Sequence, residues 1–292
     1  MRIVMMGTGP FAVPVFRALV DSEHDVPVLF TQPPRGKQDS TTNPTRDVAA
    51  ALDLEIVAEA DVNEASVRQR LQSFAADLLM VCDFGQILSA ETLGAAKLGG
   101  INLHGSYLPK YRGAAPIQWA IYNGESTTGV SVIHMTPRLD AGPCLVQREE
   151  PIAADDDAVS LELRLSQLGV SAVFESIAKL DSWNGSDLIG LPQDKQRATR
   201  APRLKKSDGR VDWHRTAAEI DRQRRAFTPW PGTFTFVPRS KGEPVRVIIE
   251  SATVLNDTTD SPAGTVIRAE KDQLHVAAGD ASILAIHSVR PA

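Results

Sequence analysis

Gly99 to Gly124 reads GGINLHGSYLPKYRGAAPIQWAIYNG, and the order of residue types in it points to an α/β protein. Gly99 to Leu103 is a short, mostly apolar strand fed by two glycines, and it presents Asn102 and His104 on one side, two residues apart. His-Gly-Ser and Tyr107-Leu108-Pro109 follow. A loop with Lys110, Arg112 and Gly113 then leads into Ala114 to Ile121, a predicted helix with Pro116 in its first turn. Polar loops at strand ends commonly hold the chemistry of α/β proteins. Asn at such a place also caps turns, and a lone His is often structural. Flanking glycines, a fixed Pro and two cations in so short a loop favour a functional role.

Upstream, Asp77 to Cys82 is a continuous apolar strand of the kind that a parallel sheet buries on both faces, and it ends in Asp83-Phe84-Gly85-Gln86. Two neighbouring strand ends that open on one crevice define a ligand site. Arg2 to Met6 runs into Gly7-Thr8-Gly9-Pro10 and a helical pattern through Leu19, the opening of a Rossmann-like unit. A dinucleotide enzyme would place an acidic residue at the end of the next strand, but Val26 to Phe30 ends in Thr31-Gln32-Pro33-Pro34, and Pro10 has no N–H to give a phosphate. The glycines therefore read as a tight turn rather than a nucleotide cradle. Gln32 to Pro44 reads as a mobile surface loop.

Downstream, Thr127 to Met135 alternates as a strand, and Pro137 to Asp140 is a turn. Cys144 to Gln147 returns as its antiparallel partner, which lets Asp140 fold back toward the Asn-x-His strand. Val159 to Leu180 is a long helix whose preceding acids suit its dipole. The architecture expected is an α/β, Rossmann-like domain with a mostly parallel sheet over residues 1–181 and a linker over 182–202. A small OB-like β-barrel should occupy 203–292, where five short strands follow one helix.

The chain has 292 residues, 42% of them hydrophobic, enough for two cores. It has no apolar run long enough for a bilayer and no basic-then-apolar leader at Met1, so a soluble cytoplasmic protein without membrane contact is expected, as a monomer. Cys82 and Cys144 form no CxxC pair and read as buried thiols. Between Lys195 and Arg246 there are 14 Lys or Arg against 5 Asp or Glu, a balance of +9; with a total of −5, the remainder carries −14. A local basic field on an acidic molecule suggests a polyanionic partner.

Asn102, His104 and Asp140 on one crevice admit three chemistries. Their spacing matches no zinc pattern, and no metal is expected. Ser106 is a nearby nucleophile, but it lacks the sharp G-x-S-x-G elbow. The remaining chemistry is acyl transfer to an external nucleophile, with Asn102 donating to a developing oxyanion and His104 with Asp140 handling protons.

HGSYLPKYRGAAPIQWAI, preceded by GGIN and followed by TTGVSVIHMTPRLDAG, resembles the folate-dependent formyltransferases. The similarity continues through RIVMMGTGPFAVP, FTQP, RVDW at Arg210 to Trp213 and RAFTPWPG at Arg225 to Gly232, nearly the whole chain. The RGAAPIQ run and the RAFTPWPG segment point to the branch acting on tRNA in translation initiation. The resemblance implies a formyl group carried on N10 of tetrahydrofolate, as 10-formyltetrahydrofolate, and transferred to the α-amine of methionyl initiator tRNA. The same chemistry on a sugar-nucleotide or ribonucleotide amine is the alternative. It also implies Asn102, His104 and Asp140 as catalytic residues. Phe84, Gly85 and Ile87 would form one folate wall and Ser106, Tyr107, Leu108 and Pro109 the other. The C-terminal domain would assist tRNA binding, with Lys205, Lys206 and Arg210 as contacts beside Arg35, Lys37, Lys110 and Arg112. Three features depart from the family pattern: a short loop after FTQP, Cys82-Asp83-Phe84-Gly85 in place of a more apolar turn, and no basic tail.

Overall fold

The computed structural model describes residues 1–34, 43–270 and 273–291. Arg35 and Lys37 lie outside the described residues. By its internal contacts the chain divides into two compact units: residues 1–116, 127–151 and 162–202 form the first, and residues 117–126, 152–161 and 203–292 the second.

The first unit is built on a seven-stranded sheet. Its strands are β1 (Ile3–Gly7), β2 (Val28–Thr31), β3 (Glu55–Ala58), β4 (Leu78–Cys82), β5 (Gly100–His104), β7 (Thr127–His134) and β8 (Cys144–Pro151), in the order β3-β2-β1-β4-β5-β7-β8; a short β6 (Arg112–Gly113) lies outside this sheet. The first five strands are parallel, and β7 and β8 add an antiparallel pair at the β5 edge. Parallel strands need crossover connections. Here α1 (Val13–Val20), α2 (Pro44–Ala51), α3 (Ala65–Ser73) and α4 (Ala90–Leu93) supply them. The strands β1 and β4 are buried at every position, as their unbroken apolar runs require of a sheet covered on both faces. One face packs Val4, Met6, Phe30, Leu79 and Val81 against Leu71 of α3. A longer helix, α6 (Ala158–Asp181), brings Gly169 against Leu103, where an added Cβ would lie 2.6 Å from a Leu103 methyl.

Residues 182–202, expected as a linker, are built into the first unit. Leu191 exchanges two backbone hydrogen bonds of 2.8 Å with Cys144, and β9 (Arg200–Ala201) pairs in parallel with β6. Low apolar periodicity in this segment reflects attachment through main-chain bonds rather than through a buried face. At Gly113 (φ +133°) the two backbones approach so closely that a Cβ would sit 2.3 Å from the Ala201 carbonyl oxygen, which only glycine permits.

The second unit contains α7 (Ala217–Ala226) and an antiparallel sheet of β10 (Thr233–Val237), β11 (Val245–Leu255), β12 (Val266–Glu270), β13 (Gln273–Ala277) and β14 (Ile283–Pro291), in the order β10-β11-β14-β13-β12. β11 is long enough to pair with β10 through its first half and with β14 along its length, with irregular register at Ile249 to Ala252. Thr216 caps α7: its hydroxyl accepts the Glu219 N–H at 3.2 Å while the Glu219 carboxylate accepts the Thr216 N–H at 2.9 Å. Ile220 of α7 packs with Ile249, Leu284 and Ile286. Residues 117–126 join this unit through the C-terminal part of α5 (Pro116–Tyr122), whose Tyr122 ring stacks on Phe227 at 5.2 Å and carries the Arg215 guanidinium at 4.5 Å.

Candidate active site

The site forms where β4 and β5, adjacent and parallel, reach their carboxyl ends. Val81 pairs with Asn102 and Cys82 with Leu103, so the chain leaves the sheet at Asp83 on one strand and at His104 on the other. The β7-to-β8 connection returns Asp140 to the same place, in a left-handed conformation (φ +46°) that Asp tolerates better than most residues. The Asn102 amide nitrogen donates to Asp140 Oδ1 at 3.3 Å, and the Gly113 N–H donates to Asp140 Oδ2 at 2.8 Å. His104 Nδ1 lies 3.8 Å from Asp140 Oδ2, with the two side chains only 6% and 10% exposed. The three residues that the sequence singled out therefore converge.

His104 Nε2 lies 2.9 Å from the carbonyl oxygen of Tyr111. A carbonyl can only accept, so Nε2 carries the proton, and Nδ1, facing Asp140, is the ring atom left to take one up. The tautomer is set by this main-chain carbonyl and not by Asp140, because 3.8 Å is an ion-pair distance and too long for a hydrogen bond.

The 106–109 loop is fixed from within. Ser131, paired with His104 across β5 and β7, accepts the Leu108 N–H at 3.0 Å and donates to the Ser106 carbonyl at 2.7 Å, while Gln147 donates to the Leu108 carbonyl at 2.8 Å. Ser106 and Leu108 are consequently buried, Leu108-Pro109 is cis, and the Ser106 hydroxyl donates to the Lys110 carbonyl at 2.6 Å. Among these loop residues Tyr107 presents its ring outward. On the neighbouring loop Phe84 is buried, Gly85 is exposed at φ +76°, and Ile87 is 59% exposed. Of the expected folate contacts, Ile87 and Tyr107 offer side-chain surface, whereas Phe84 and Leu108 are packed into apolar clusters and the Ser106 hydroxyl is spent on a main-chain carbonyl.

The expected RNA contacts are also sorted by the structure. Lys110, Lys205, Lys206 and Arg210 are exposed. Arg112 instead directs Nε and Nη2 to Gln193 Oε1, at 3.0 and 2.6 Å. In the second unit Arg224 and Arg225 both pair with Asp221, at 2.7 and 2.9 Å, one of the five carboxylates already counted in the segment's balance. Tyr111, Gly113 and Gln193 were not anticipated. They act through a main-chain carbonyl, a main-chain N–H and a side-chain amide, and of the three only Gly113 was marked in the sequence, beside Lys110 and Arg112.

Burial holds both cysteines far from reactivity. Cys144 is pushed up to about 11, in spite of Arg112 nearby, and Cys82 also rises well above its ordinary value, through burial first and then the Asp83 and Glu162 carboxylates. Dense packing around the Asp83 carboxyl, followed by the charge of Glu162, pushes Asp83 up to about 7, although the residue as a whole keeps solvent-exposed surface. No group of three or more His, Cys, Asp or Glu among the described residues could hold a metal ion. Among them, no helix is long and apolar enough to cross a membrane.

An amide donor, a histidine with one nitrogen pinned and a largely enclosed carboxylate meet at a parallel-sheet crevice, an arrangement that suits acyl transfer. Residues 1–177 match the formyl transferase family and residues 203–292 match the formyl transferase C-terminal domain. The chain is 42% identical to a methionyl-tRNA formyltransferase of Rhodopirellula baltica, with 100% of this chain and 90% of that protein covered, and 35% identical to one of Enterococcus faecalis, with 100% and 91% covered. Among solved structures, an N-formyltransferase of Helicobacter canadensis in complex with folinic acid and dTDP-3-aminofucose superposes with a TM-score of 0.70 at 16% identity, covering 98% of this chain and 99% of that one. The chain belongs to the formyl transferase family, and within it to the methionyl-tRNA formyltransferases.

Proposed function

We propose that the protein transfers the formyl group of 10-formyltetrahydrofolate to the α-amine of methionine esterified to initiator tRNA, with Asn102, His104 and Asp140 as the catalytic residues. The observation that carries the chemistry is the fixed state of His104: with Nε2 committed to the Tyr111 carbonyl at 2.9 Å, Nδ1 beside Asp140 is a ready proton acceptor.

As the neutral amine attacks the formyl carbon, a new C–N bond forms and the carbonyl oxygen gains negative charge. Asn102 donates an amide N–H to that oxygen, an interaction worth about 3 kcal/mol in the transition state. The amine, now cationic, gives a proton to His104 Nδ1, and Asp140 stabilises the imidazolium. That proton then goes to N10 as the C–N10 bond breaks, leaving tetrahydrofolate and formylmethionyl-tRNA. Every atom is accounted for without a covalent enzyme intermediate. Ile87 and Tyr107 are the side chains exposed for the folate, and Lys205, Lys206 and Arg210 are exposed cations for RNA phosphates.

The deciding experiment supplies 10-formyltetrahydrofolate with Met-tRNA, an amino-sugar nucleotide or glycinamide ribonucleotide in separate reactions and identifies the formylated amine by mass spectrometry. Formylation confined to Met-tRNA is the expected result. Preferential formylation of either small nucleotide would overturn the reading.

A further inference from the structure

Two residues flank the His104 ring, and both stand in the left-handed region although neither is glycine: Asp140 on the Nδ1 side (φ +46°) and Tyr111 on the Nε2 side (φ +63°). Backbone in that region persists where its surroundings hold it. In each case the holding group comes from the segment between residues 190 and 201, which precedes the C-terminal domain in the chain.

Gln193 holds the first. Its Nε2 donates to the carbonyls of Asp140 at 2.9 Å and Gly142 at 2.7 Å, both on the C-terminal side of the Cα that carries the carboxylate. Its Oε1 accepts both Arg112 bonds, at 3.0 and 2.6 Å. A glutamine amide has two N–H donors and one oxygen with two lone pairs, so Gln193 is fully used, and its orientation is dictated because carbonyls only accept and guanidinium only donates. Thr199 holds the second. Its hydroxyl accepts the Tyr111 N–H at 2.8 Å, and its main chain brackets that residue, with Thr199 N donating to the Pro109 carbonyl at 3.3 Å and Thr199 O accepting the Arg112 N–H at 2.9 Å. Tyr111 is thus held by its nitrogen while its carbonyl oxygen holds His104.

We propose that Gln193 and Thr199 are positioning residues for formyl transfer: Gln193 sets the placement of Asp140, and Thr199, through Tyr111, sets the tautomer and tilt of His104. This inference rests on the reading of His104 and Asp140 as catalytic. It gives the segment leading to the C-terminal domain a direct hold on both partners of the catalytic imidazole.

The test uses the full chain with Thr199→Val, which keeps shape and main-chain bonds but loses the hydroxyl, Thr199→Ser, which keeps the hydroxyl, and Gln193→Met. Turnover and both Michaelis constants are measured with 10-formyltetrahydrofolate and Met-tRNA. The imidazole Nε2–H signal of His104, assigned by its loss in His104→Gln, is followed by NMR in the free enzyme. Thr199→Val and Gln193→Met should lower kcat by about 10- to 100-fold with Michaelis constants within roughly threefold of wild type, as misplacement of a reacting group does. Thr199→Val should also lose the protected Nε2–H signal to solvent exchange, and Thr199→Ser should restore both signal and turnover. Unchanged kcat in both loss variants, or an intact signal in a slowed Thr199→Val, would overturn the proposal. Failure of the wild type to formylate Met-tRNA would instead overturn the substrate assignment, and the NMR comparison reports on His104 independently of it.

Discussion

Asp140→Asn tests the proton-handling account most sharply, because it removes a charge and keeps a shape. The imidazolium formed during transfer would lie 3.8 Å from Asp140 Oδ2 with both side chains nearly buried. At an effective dielectric of about 20, opposite charges at that separation attract by about 4 kcal/mol. Each 1.36 kcal/mol of transition-state stabilisation is about tenfold in rate, so complete loss corresponds to about 1,000-fold. An asparagine oxygen can still accept the Gly113 N–H and recovers part of the field, which sets the expected fall in kcat at about 100- to 1,000-fold. The ground state loses the 3.3 Å Asn102 bond, because the new amide nitrogen cannot accept it, while uncharged His104 gains nothing from the carboxylate. Rapid-quench single turnovers at saturating donor and Met-tRNA give the rate of the chemical step, calorimetric titration with a folate gives donor affinity, and a thermal melt checks the fold. Folate affinity should stay within about threefold of wild type. A folded variant with kcat within tenfold of wild type would refute the argument, and a raised Michaelis constant with unchanged kcat would make Asp140 a binding group only.

Two further outcomes are expected. Asp83, raised to about 7 by burial and then by Glu162, makes the native state hold a proton that the unfolded chain has released; stability from this residue is therefore full below pH about 4 and lost as pH rises toward 7. Asp83→Asn should be more stable than wild type at pH 8, by roughly 1 kcal/mol because solvent contact discounts the linkage, and this gain should shrink to roughly a third at pH 5 and close below pH about 4; a difference independent of pH would contradict it. Replacing Lys205, Lys206 and Arg210 together by Ala should raise the Michaelis constant for Met-tRNA and reduce the slope of log affinity against log salt by roughly 2 to 3, one phosphate contact per residue, with folate affinity unchanged; tRNA kinetics identical to wild type at every salt concentration would remove this surface from RNA docking.

How far the site was legible depended on which part of each residue does the work. Asn102 and His104 could be read because a strand has period two and an apolar run names its own end; Asp140 could be read because the β7-to-β8 reversal lies between two recognisable strands. The parallel order was readable at β1 and β4, whose five residues apiece are all buried. Tyr111 acts through its carbonyl and Gly113 through its N–H, and main-chain groups leave no residue type to recognise. Gln193 and Arg112 could not be placed because they spend their polarity on one another and on the Asp140 loop. A loop arginine in sequence reads as a free cation, and only the fold turns it inward. The second unit illustrates the same limit. Tyr122 precedes Phe227 by more than a hundred residues, and no local pattern announces that their rings stack.

The glycine turn after β1 is closed to phosphate by one departure from the family pattern, Asp83. In nucleotide-binding folds the N–H groups of such a turn face a phosphate. Here Thr8 and Gly9 direct theirs to the Asp83 carbonyl oxygen, at 3.1 and 3.4 Å. The carboxyl of the same residue fills the space above Gly9, where an added Cβ would lie 1.7 Å from Oδ2. The donors that would attract a phosphate are therefore already occupied, and a group that ionises near neutrality stands in front of them. Docking a phosphate against this turn would cost repulsion without hydrogen bonds in return. Asp83 beside Gly9 thus disfavours phosphate at the turn.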